Sequence, residues 1–334
     1  LIPPKELLDF LKREGNFLIA THINPDGDGL GSAIALSTAL RKLGKNTVLL
    51  CKDPVPQQYM FLPGQEKFVT LEQFTVHGSR ITDFRNLILI DCNDIDRIAT
   101  DKSQISNLKF QISAVIDHHE SEKPFGNIRW VMPDSAATGL MIYHLIKELG
   151  IKLTSDMAVN LYAAIAVDTG NFRYENTSPE VLRAAADLIE AGAKPHAIYR
   201  WLFEAWSEGR FDLFMRVLNT LEKEDGIAIV KVTGKMFEVT STSADDTEHF
   251  VEFLRIMKDV KVSVLFREID DTYYKISLRS KDDINVARVA EAFGGGGHKN
   301  AAGCRIKADF ETAKREILNR LKHEILPYAA SHES

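Results

Sequence analysis

Four short, uninterrupted apolar runs constrain what this chain can fold into more than any other feature. They are FLIAT (17–21), TVLLC (47–51), LILID (87–91) and SAVID (113–117), and much longer stretches separate them. A strand with one solvated face alternates apolar and polar residues. A run with no alternation fits a strand buried on both faces, as in a parallel sheet covered by helices. The segments between and after the runs have helical spacing. Gly29 to Leu43 repeats Leu30, Ile34, Leu40 and Leu43 on a related face, with Gly44 as a stop. Further helices are predicted over 135–149, 155–166 and 179–191. The last opens Ser178-Pro179-Glu180, which supplies an N-cap, a first-turn proline and an early acid. The expectation is an α/β domain over residues 1–193, a parallel sheet with flanking helices.

From 194 to 225 the chain is helical, aromatic and charged, with no Gly/Pro-rich hinge, and is predicted to be a helical connector. After Asp225-Gly226 the pattern changes to alternation. IAIVKV (227–232), VKVSVLFREI (260–269) and TYYKISLRS (272–280) are predicted strands, with Asp270-Asp271 as a tight turn and a helix over about 309–327. This predicts a smaller α+β domain over 226–334. At 334 residues the chain is long enough for two domains with separate cores.

Charge and cysteine usage narrow the class. Forty-seven acidic against 41 basic residues, a net charge of -6, opposes a broad basic face for long duplex nucleic acid, whose nonspecific binding rests on Lys and Arg neutralising phosphates. No apolar run approaches the roughly 18 residues of a membrane span, and the N-terminal segment lacks the basic-then-apolar pattern of a signal peptide. The expectation is a cytoplasmic enzyme with no membrane partner. Cys51, Cys92 and Cys304 are odd in number and far apart, so neither a disulfide framework nor a thiolate zinc site is predicted.

Residues with chemistry gather where the apolar runs stop. His22, Asp26 and Asp28 lie in THINPDGDG, beside glycines that let the backbone fold around an ion. By itself that stretch is equally well a polar turn with an Asp N-cap. Asp91 closes LILID, Asp117-His118-His119 closes SAVID, and Asp168 follows another apolar stretch. Carboxyl ends of parallel strands are where ligands collect. His22, Asp26, Asp28, Asp91, His118, His119 and Asp168 make four carboxylates and three imidazoles with no thiolate, a donor set suited to Mn²⁺ or a similar divalent ion. These are too many for one ion that must also hold water and substrate, so a two-metal hydrolase is the natural reading. In the second domain, Gly294 to Gly297 let main-chain N–H groups approach an anion, and His298 and Lys299 add charge. Linkers are usually Ser-rich and polar, whereas this run continues into small apolar residues. Arg279 and Ser280 are candidates to join the same anion site.

HINPDGDGLGS, LIDCND, IDHHES and AVDTGNFRYENTSPEVL together resemble the four motifs of the DHH phosphoesterase superfamily, and GGGGHKNAAG resembles the signature of its associated DHHA1 domain. In length and domain order the chain is similar to the branch of nanoRNases and pAp phosphatases, related to stand-alone cyclic-dinucleotide phosphodiesterases. The longer RecJ exonucleases and the family II pyrophosphatases resemble it less. The resemblance implies a first ion held by His22, Asp26 and Asp91, and a second by Asp28, Asp91, His118 and Asp168, with Asp91 bridging. It implies two Mn²⁺, or another divalent metal such as Mg²⁺ or Co²⁺. It makes Asp91 and His119 the catalytic pair, His119 lying beside the substrate phosphate. Arg279, Gly295, Gly296 and His298 would receive a terminal phosphate from across an interdomain cleft, with Lys299 adding charge.

The activity implied is hydrolysis of very short oligonucleotides, dinucleotides included, to mononucleotides, together with removal of the 3′-phosphate of pAp. A water shared by the two ions would lose its proton near neutral pH and attack phosphorus in line. Alternative readings are a cyclic-dinucleotide phosphodiesterase, a nucleotide-binding regulator without turnover, and an exopolyphosphatase or pyrophosphatase. The expected partners are short oligonucleotides or nucleotide phosphates, and similar proteins make a homodimer a candidate assembly. Because four of the negative charges fall on implied ligands, the acidic total does not oppose an anionic substrate.

Overall fold

The computed structural model describes residues 1–70, 73, 84–98, 110–120 and 125–332. Ser121, the last residue of IDHHES, lies outside them. The chain divides into two units, Leu1–Ala205 and Trp206–Ser334. The division falls inside the stretch predicted as a connector.

The first unit runs α1 (Lys5–Arg13), β1 (Asn16–Ala20), α2 (Gly27–Lys42), β2 (Asn46–Leu50), β3 (Phe68–Val69), β4 (Asn86–Ile90), β5 (Ile112–Asp117), β6 (Ile128–Val131), α3 (Thr138–Glu148), α4 (Ser155–Asp168), α5 (Pro179–Glu190) and α6 (Pro195–Phe203). All pairings in its sheet are parallel, in the order β3-β2-β1-β4-β5-β6. Successive residues of one strand enter different cores, which is why the apolar runs do not alternate. Phe17 and Ile19 pack with the helices on one side, while Leu18 and Ala20 join Leu87, Leu89, Cys92 and Val115 on the other. Each Phe, Ile, Leu or Val among them contributes about 1.5–3 kcal/mol by leaving water. The chain passes from β1 outward to β2 and β3, then returns to the far side of β1 as β4. The strand order therefore reverses between β1 and β4, the place where open α/β sheets hold ligands.

Some sequence expectations need correction. Helix α2 starts at Gly27 rather than Gly29 and is buried on all sides through most of its length, so it has no single apolar face. It lies inside the layer formed with α3 and α4, and its small residues permit that close packing. Leu43, expected on the buried face, is 39% exposed and lies past the helix end. Strands β3 and β6 have no counterpart in the sequence reading.

The second unit contains α7 (Glu208–Leu218), β7 (Glu222–Glu224), β8 (Ile227–Val232), α8 (Gly234–Thr240), α9 (Phe250–Phe253), β9 (Val262–Asp270), β10 (Tyr273–Ser280), α10 (Val286–Glu291), β11 (Gly296–His298), β12 (Ala301–Lys307) and α11 (Phe310–His332). Its sheet order is β11-β12-β10-β9-β8-β7, antiparallel except for β8 beside β9. One face packs on α10 and α11 through Val264, Ile276, Leu278, Val289 and Ile317. The other is covered over β8 and β9 by α7 and α9, through Leu213, Val230, Phe250 and Leu265. The β9–β10 turn is Asp271-Thr272 rather than Asp270-Asp271. Asp270 stays in the strand, and its Oδ1 accepts from the Thr272 N–H at 2.8 Å and hydroxyl at 3.2 Å. Among the described residues no helix is long and apolar enough to cross a membrane.

Candidate metal centre

Three strand ends and two helix ends build the site. Past β1, Asp26 is the N-cap of α2, its Oδ1 accepting from the N–H groups of Asp28 and Gly29 at 3.0 Å each. A Cβ at Gly29 would stand 2.3 Å from Thr21 Oγ1 and 3.5 Å from Asp91 Oδ2. Only glycine lets the first turn of α2 come this close to the ends of β1 and β4. His22 is buried, and its Nδ1 lies 2.8 Å from the Ile23 carbonyl. A carbonyl only accepts, so Nδ1 carries the proton and Nε2 faces the carboxylates, 3.4 Å from Asp91 Oδ2 and 3.8 Å from Asp26 Oδ1.

Asp91 sits just past β4 in the left-handed region, φ 56°, and is buried. Its two oxygens face different groups. Oδ2 looks toward His22, while Oδ1 accepts from Thr138 Oγ1 at 2.9 Å and lies 3.5 Å from both His118 Nε2 and His119 Nδ1. His118, past β5, has Nδ1 fixed on the Ser135 carbonyl at 3.1 Å. Its Nε2 meets Asp168 Oδ2 at 3.0 Å, at the end of α4, and Asp28 Oδ2 at 3.8 Å. Asp28 is buried in the first turn of α2 and also serves α3. The N-cap residue of α3, Ala137, has no capping side chain, and Asp28 accepts from the first N–H groups of that helix, Thr138 and Gly139, at 2.7 Å each.

Three groups thus gather with ligand atoms within 4.8 Å of one another: His22, Asp26 and Asp91; Asp28, His118 and Asp168; and Asp91, His118 and His119. They could hold divalent ions. Each Nε2 of His22 and His118 is aimed by a backbone carbonyl on the opposite nitrogen, the tautomer that metal ligation needs. The proton affinities of these groups follow from their burial and mutual contacts. Burial disfavours protonation of His22, yet Asp26 and Asp91 outweigh it and hold the ring at about 11. Burial likewise opposes protonation of His118, and Asp168, Asp91 and Asp28 bring it to about 11. Burial would raise Asp91, but His22, His119 and His118 hold it well below the carboxylate range. Burial and then Asp91 and Asp168 push Asp28 well above that range.

Metal binding should therefore depend on pH in one direction. With raised values, His22 and His118 stay protonated from below pH 6.5 to near pH 11. Metal ligation needs their lone pairs, so binding must expel those protons and tighten as pH rises through neutrality. Calorimetric titration with Mn²⁺ at pH 7.5, in two buffers of unlike ionisation enthalpy, is expected to show net proton release. Equal heats in the two buffers would contradict it.

The residue patterns did not mark several supporting groups. Asp117 is buried, and its Oδ1 accepts from His119 N at 3.1 Å and Nδ1 at 2.8 Å, setting the ring so that Nε2 points away. Asn93 Nδ2 donates to the His119 carbonyl at 2.7 Å. Asp117 was visible as the first residue of the Asp-His-His triplet. Thr138 and Ser135 lie too far along the chain to be found by spacing.

In the second unit, the glycine run forms the edge strand β11 on β12. A Cβ at Gly295 would stand 2.2 Å from the Gly303 carbonyl, and one at Gly297 2.4 Å from that of Ala301, so these two glycines serve close strand approach. Gly296 faces open space. Arg279, Ala301 and His298 lie opposite one another across β10, β12 and β11, which brings Arg279 and His298 onto one face. Arg279 is not an uncommitted cation, because its Nε donates to Glu252 Oε1 at 2.8 Å. Lys299 pairs with Asp283.

Comparison with known proteins matches the DHH family, N-terminal domain, to residues 16–165 and the DHHA1 domain to residues 225–326. The bifunctional oligoribonuclease and PAP phosphatase NrnA of Thermus thermophilus is 33% identical over 313 residues, covering 93% of this chain and 91% of that protein. The protein of the same name from Bacillus subtilis is 26% identical over 327 residues, covering 93% and 98%. An exopolyphosphatase-related protein from Bacteroides fragilis shares the fold, with a TM-score of 0.89 at 24% identity over 96% of this chain and 97% of that one. The motifs, both units and a relative alike along nearly its full length agree, and the chain belongs to the DHH family, with a DHHA1 domain in its C-terminal half.

Proposed function

We propose that this chain is a divalent-metal-dependent phosphoesterase that hydrolyses dinucleotides and other very short oligonucleotides to mononucleotides and removes the 3′-phosphate of pAp. The observation that carries the reading is Asp91, buried, with one oxygen turned to His22 and the other to His118 and His119. The relatives named oligoribonuclease and PAP phosphatase support the substrate class. In this reading His22, Asp26 and Asp91 hold one Mn²⁺, and Asp28, Asp91, His118 and Asp168 a second. Such ions supply Lewis acidity and an activated water at neutral pH. His119, held by Asp117, offers a proton-bearing ring to the phosphoryl oxygens, and burial, offset by Asp117 and Asp91, leaves that ring above its ordinary value. Arg279, Gly296 and His298 would grip the far end of the substrate and set which phosphate reacts.

The test is a panel of pApA, pGpG, pAp, cyclic dinucleotides and pyrophosphate with Mn²⁺ and with Mg²⁺. Mononucleotide release from linear dinucleotides and phosphate release from pAp are expected. Metal-loaded, folded protein that turns over neither would end the proposal. A second measurement concerns Asp117→Asn, which can present its amide to His119 Nδ1–H and leave the ring wrongly turned. It is expected to lower kcat roughly 10- to 100-fold, the range for groups that orient a site from behind, with metal content unchanged. Loss of metal instead would assign Asp117 to holding His118.

A further inference from the structure

A row of cations crosses the interior of the second sheet. Arg267 in β9 stands opposite Lys275 in β10, and Lys275 opposite Arg305 in β12. Opposed residues on neighbouring strands project from one face, so the three side chains stand together across roughly 10 Å, at about 4.8 Å per strand. Lys275 and Arg305 are exposed. Like charges placed directly opposite destabilise a sheet. Basic residues that guard an edge strand do not account for the row, because β9 and β10 are interior strands. Among the described residues none of the three is in an ion pair. Partial desolvation of the ammonium by the surrounding side chains, then Arg267 and Arg305, hold Lys275 below its usual value, and the acids Glu248 and Asp245 offset this only in part. Burial and Arg305 likewise lower Arg267, against Asp245.

The same face links this row to the glycine run. Next along the strands come Ser277, Gly303 and Gly296, and then Arg279, Ala301 and His298. Small residues thus floor the space between two basic rows. Four residues of strand separate the rows, roughly 13 Å at about 3.3 Å per residue, more than one phosphate-to-phosphate step. A flat floor edged by cations at that separation fits a single strand lying along the sheet, its phosphates reaching both rows.

We propose that Arg267, Lys275 and Arg305 form a second anion subsite, which takes a phosphodiester farther along an oligonucleotide than the one held at the Arg279–His298 row. This rests on the reading of the chain as an enzyme of short oligonucleotides and adds how it accepts chains longer than two. Dinucleotides end before the row and make no use of it.

The test pairs Lys275→Gln with Arg305→Gln in the full-length, Mn²⁺-loaded protein. Relief of like-charge repulsion should leave the melting temperature unchanged or raised. Two readouts are taken: kcat/KM on a dinucleotide and a pentanucleotide, and anisotropy of a labelled pentanucleotide with hydrolysis-resistant phosphorothioate linkages, over a range of salt. The double variant is expected to lose about tenfold or more in pentanucleotide affinity and kcat/KM. Its log–log salt slope should be shallower by about 0.7 for each phosphate that is no longer neutralised. Dinucleotide turnover should stay within about twofold, and Lys275→Arg should keep pentanucleotide binding. Unchanged pentanucleotide affinity, or equal losses at both lengths, would overturn the subsite. Wild type that turns over no nucleotide, yet shows the length-dependent binding loss in the variant, would overturn the phosphoesterase reading and leave the subsite standing.

Discussion

Asp91→Asn is expected to lower mononucleotide release from a dinucleotide by at least about 10³-fold in a chain that still folds, more than removing a single transition-state donor usually costs. Asparagine keeps the volume of the buried side chain, and its carbonyl can still accept from Thr138 Oγ1, now at 2.9 Å from Oδ1. Its amide nitrogen then replaces Oδ2, which faces His22 Nε2 at 3.4 Å. An amide NH₂ has no lone pair for a cation, so the group formed by His22, Asp26 and Asp91 loses an anionic donor. The flipped rotamer fares no better, because it places the NH₂ toward His118 and His119 in place of an anionic oxygen. Either arrangement breaks the continuity between the two groups of ligands. Product release, metal content by mass spectrometry and far-UV circular dichroism should be measured on one preparation. A variant within about tenfold of wild type would show that the buried carboxylate shared by the two groups is not the centre of the chemistry. Thr138→Val is the milder companion, removing the hydroxyl that aims Asp91, with an expected loss of about 10- to 100-fold.

The site was legible in the sequence because parallel strands deliver their carboxyl ends to one edge. Asp91 at the end of LILID and His118 after SAVID had to be neighbours once those runs were strands of one sheet, and β4 does lie beside β5. The reversal of strand order between β1 and β4 then adds His22 and Asp26. Asp168 comes from a helix end rather than a strand end, and it was marked by its acidic character after an apolar stretch and by its place in the AVDTGN motif. What stayed hidden depends on contacts between distant segments. No spacing rule connects Asp28 to the start of α3, 110 residues away. The cation row is hidden for the same reason. Lys275 reads as the solvent-facing position of an alternating strand, and only the register of β10 with β9 and β12 sets it between two arginines. The error on α2 has a different origin. A helix rich in glycine, alanine and serine packs on every side, and periodicity finds a face only where one side is wet.

Asp28 and Asp168 offer a matched pair whose asparagine variants should part in stability. Each substitution removes one carboxylate from the group around His118. In Asp168→Asn the amide oxygen can still accept from His118 Nε2–H, the contact now at 3.0 Å. Asp28 is tied differently, with both oxygens accepting from backbone N–H groups at the start of α3 and Oδ1 also from Ser32 Oγ at 3.0 Å. Asparagine there must turn its NH₂ against a buried N–H in either rotamer. A buried donor left without an acceptor costs about 1–3 kcal/mol. At about 2–4 °C per kcal/mol for a unit of this size, Asp28→Asn should lower the melting temperature of the metal-free protein by roughly 2–12 °C. Asp168→Asn should change it by no more than about 2 °C. Both variants should lose most of the further rise expected from Mn²⁺ in the wild type, since a ligand stabilises only the fold that binds it. Differential scanning calorimetry with chelator and with Mn²⁺ separates the two effects. Equal melting temperatures for the two metal-free variants would mean that Asp28 does not hold the start of α3 and acts on the ion alone.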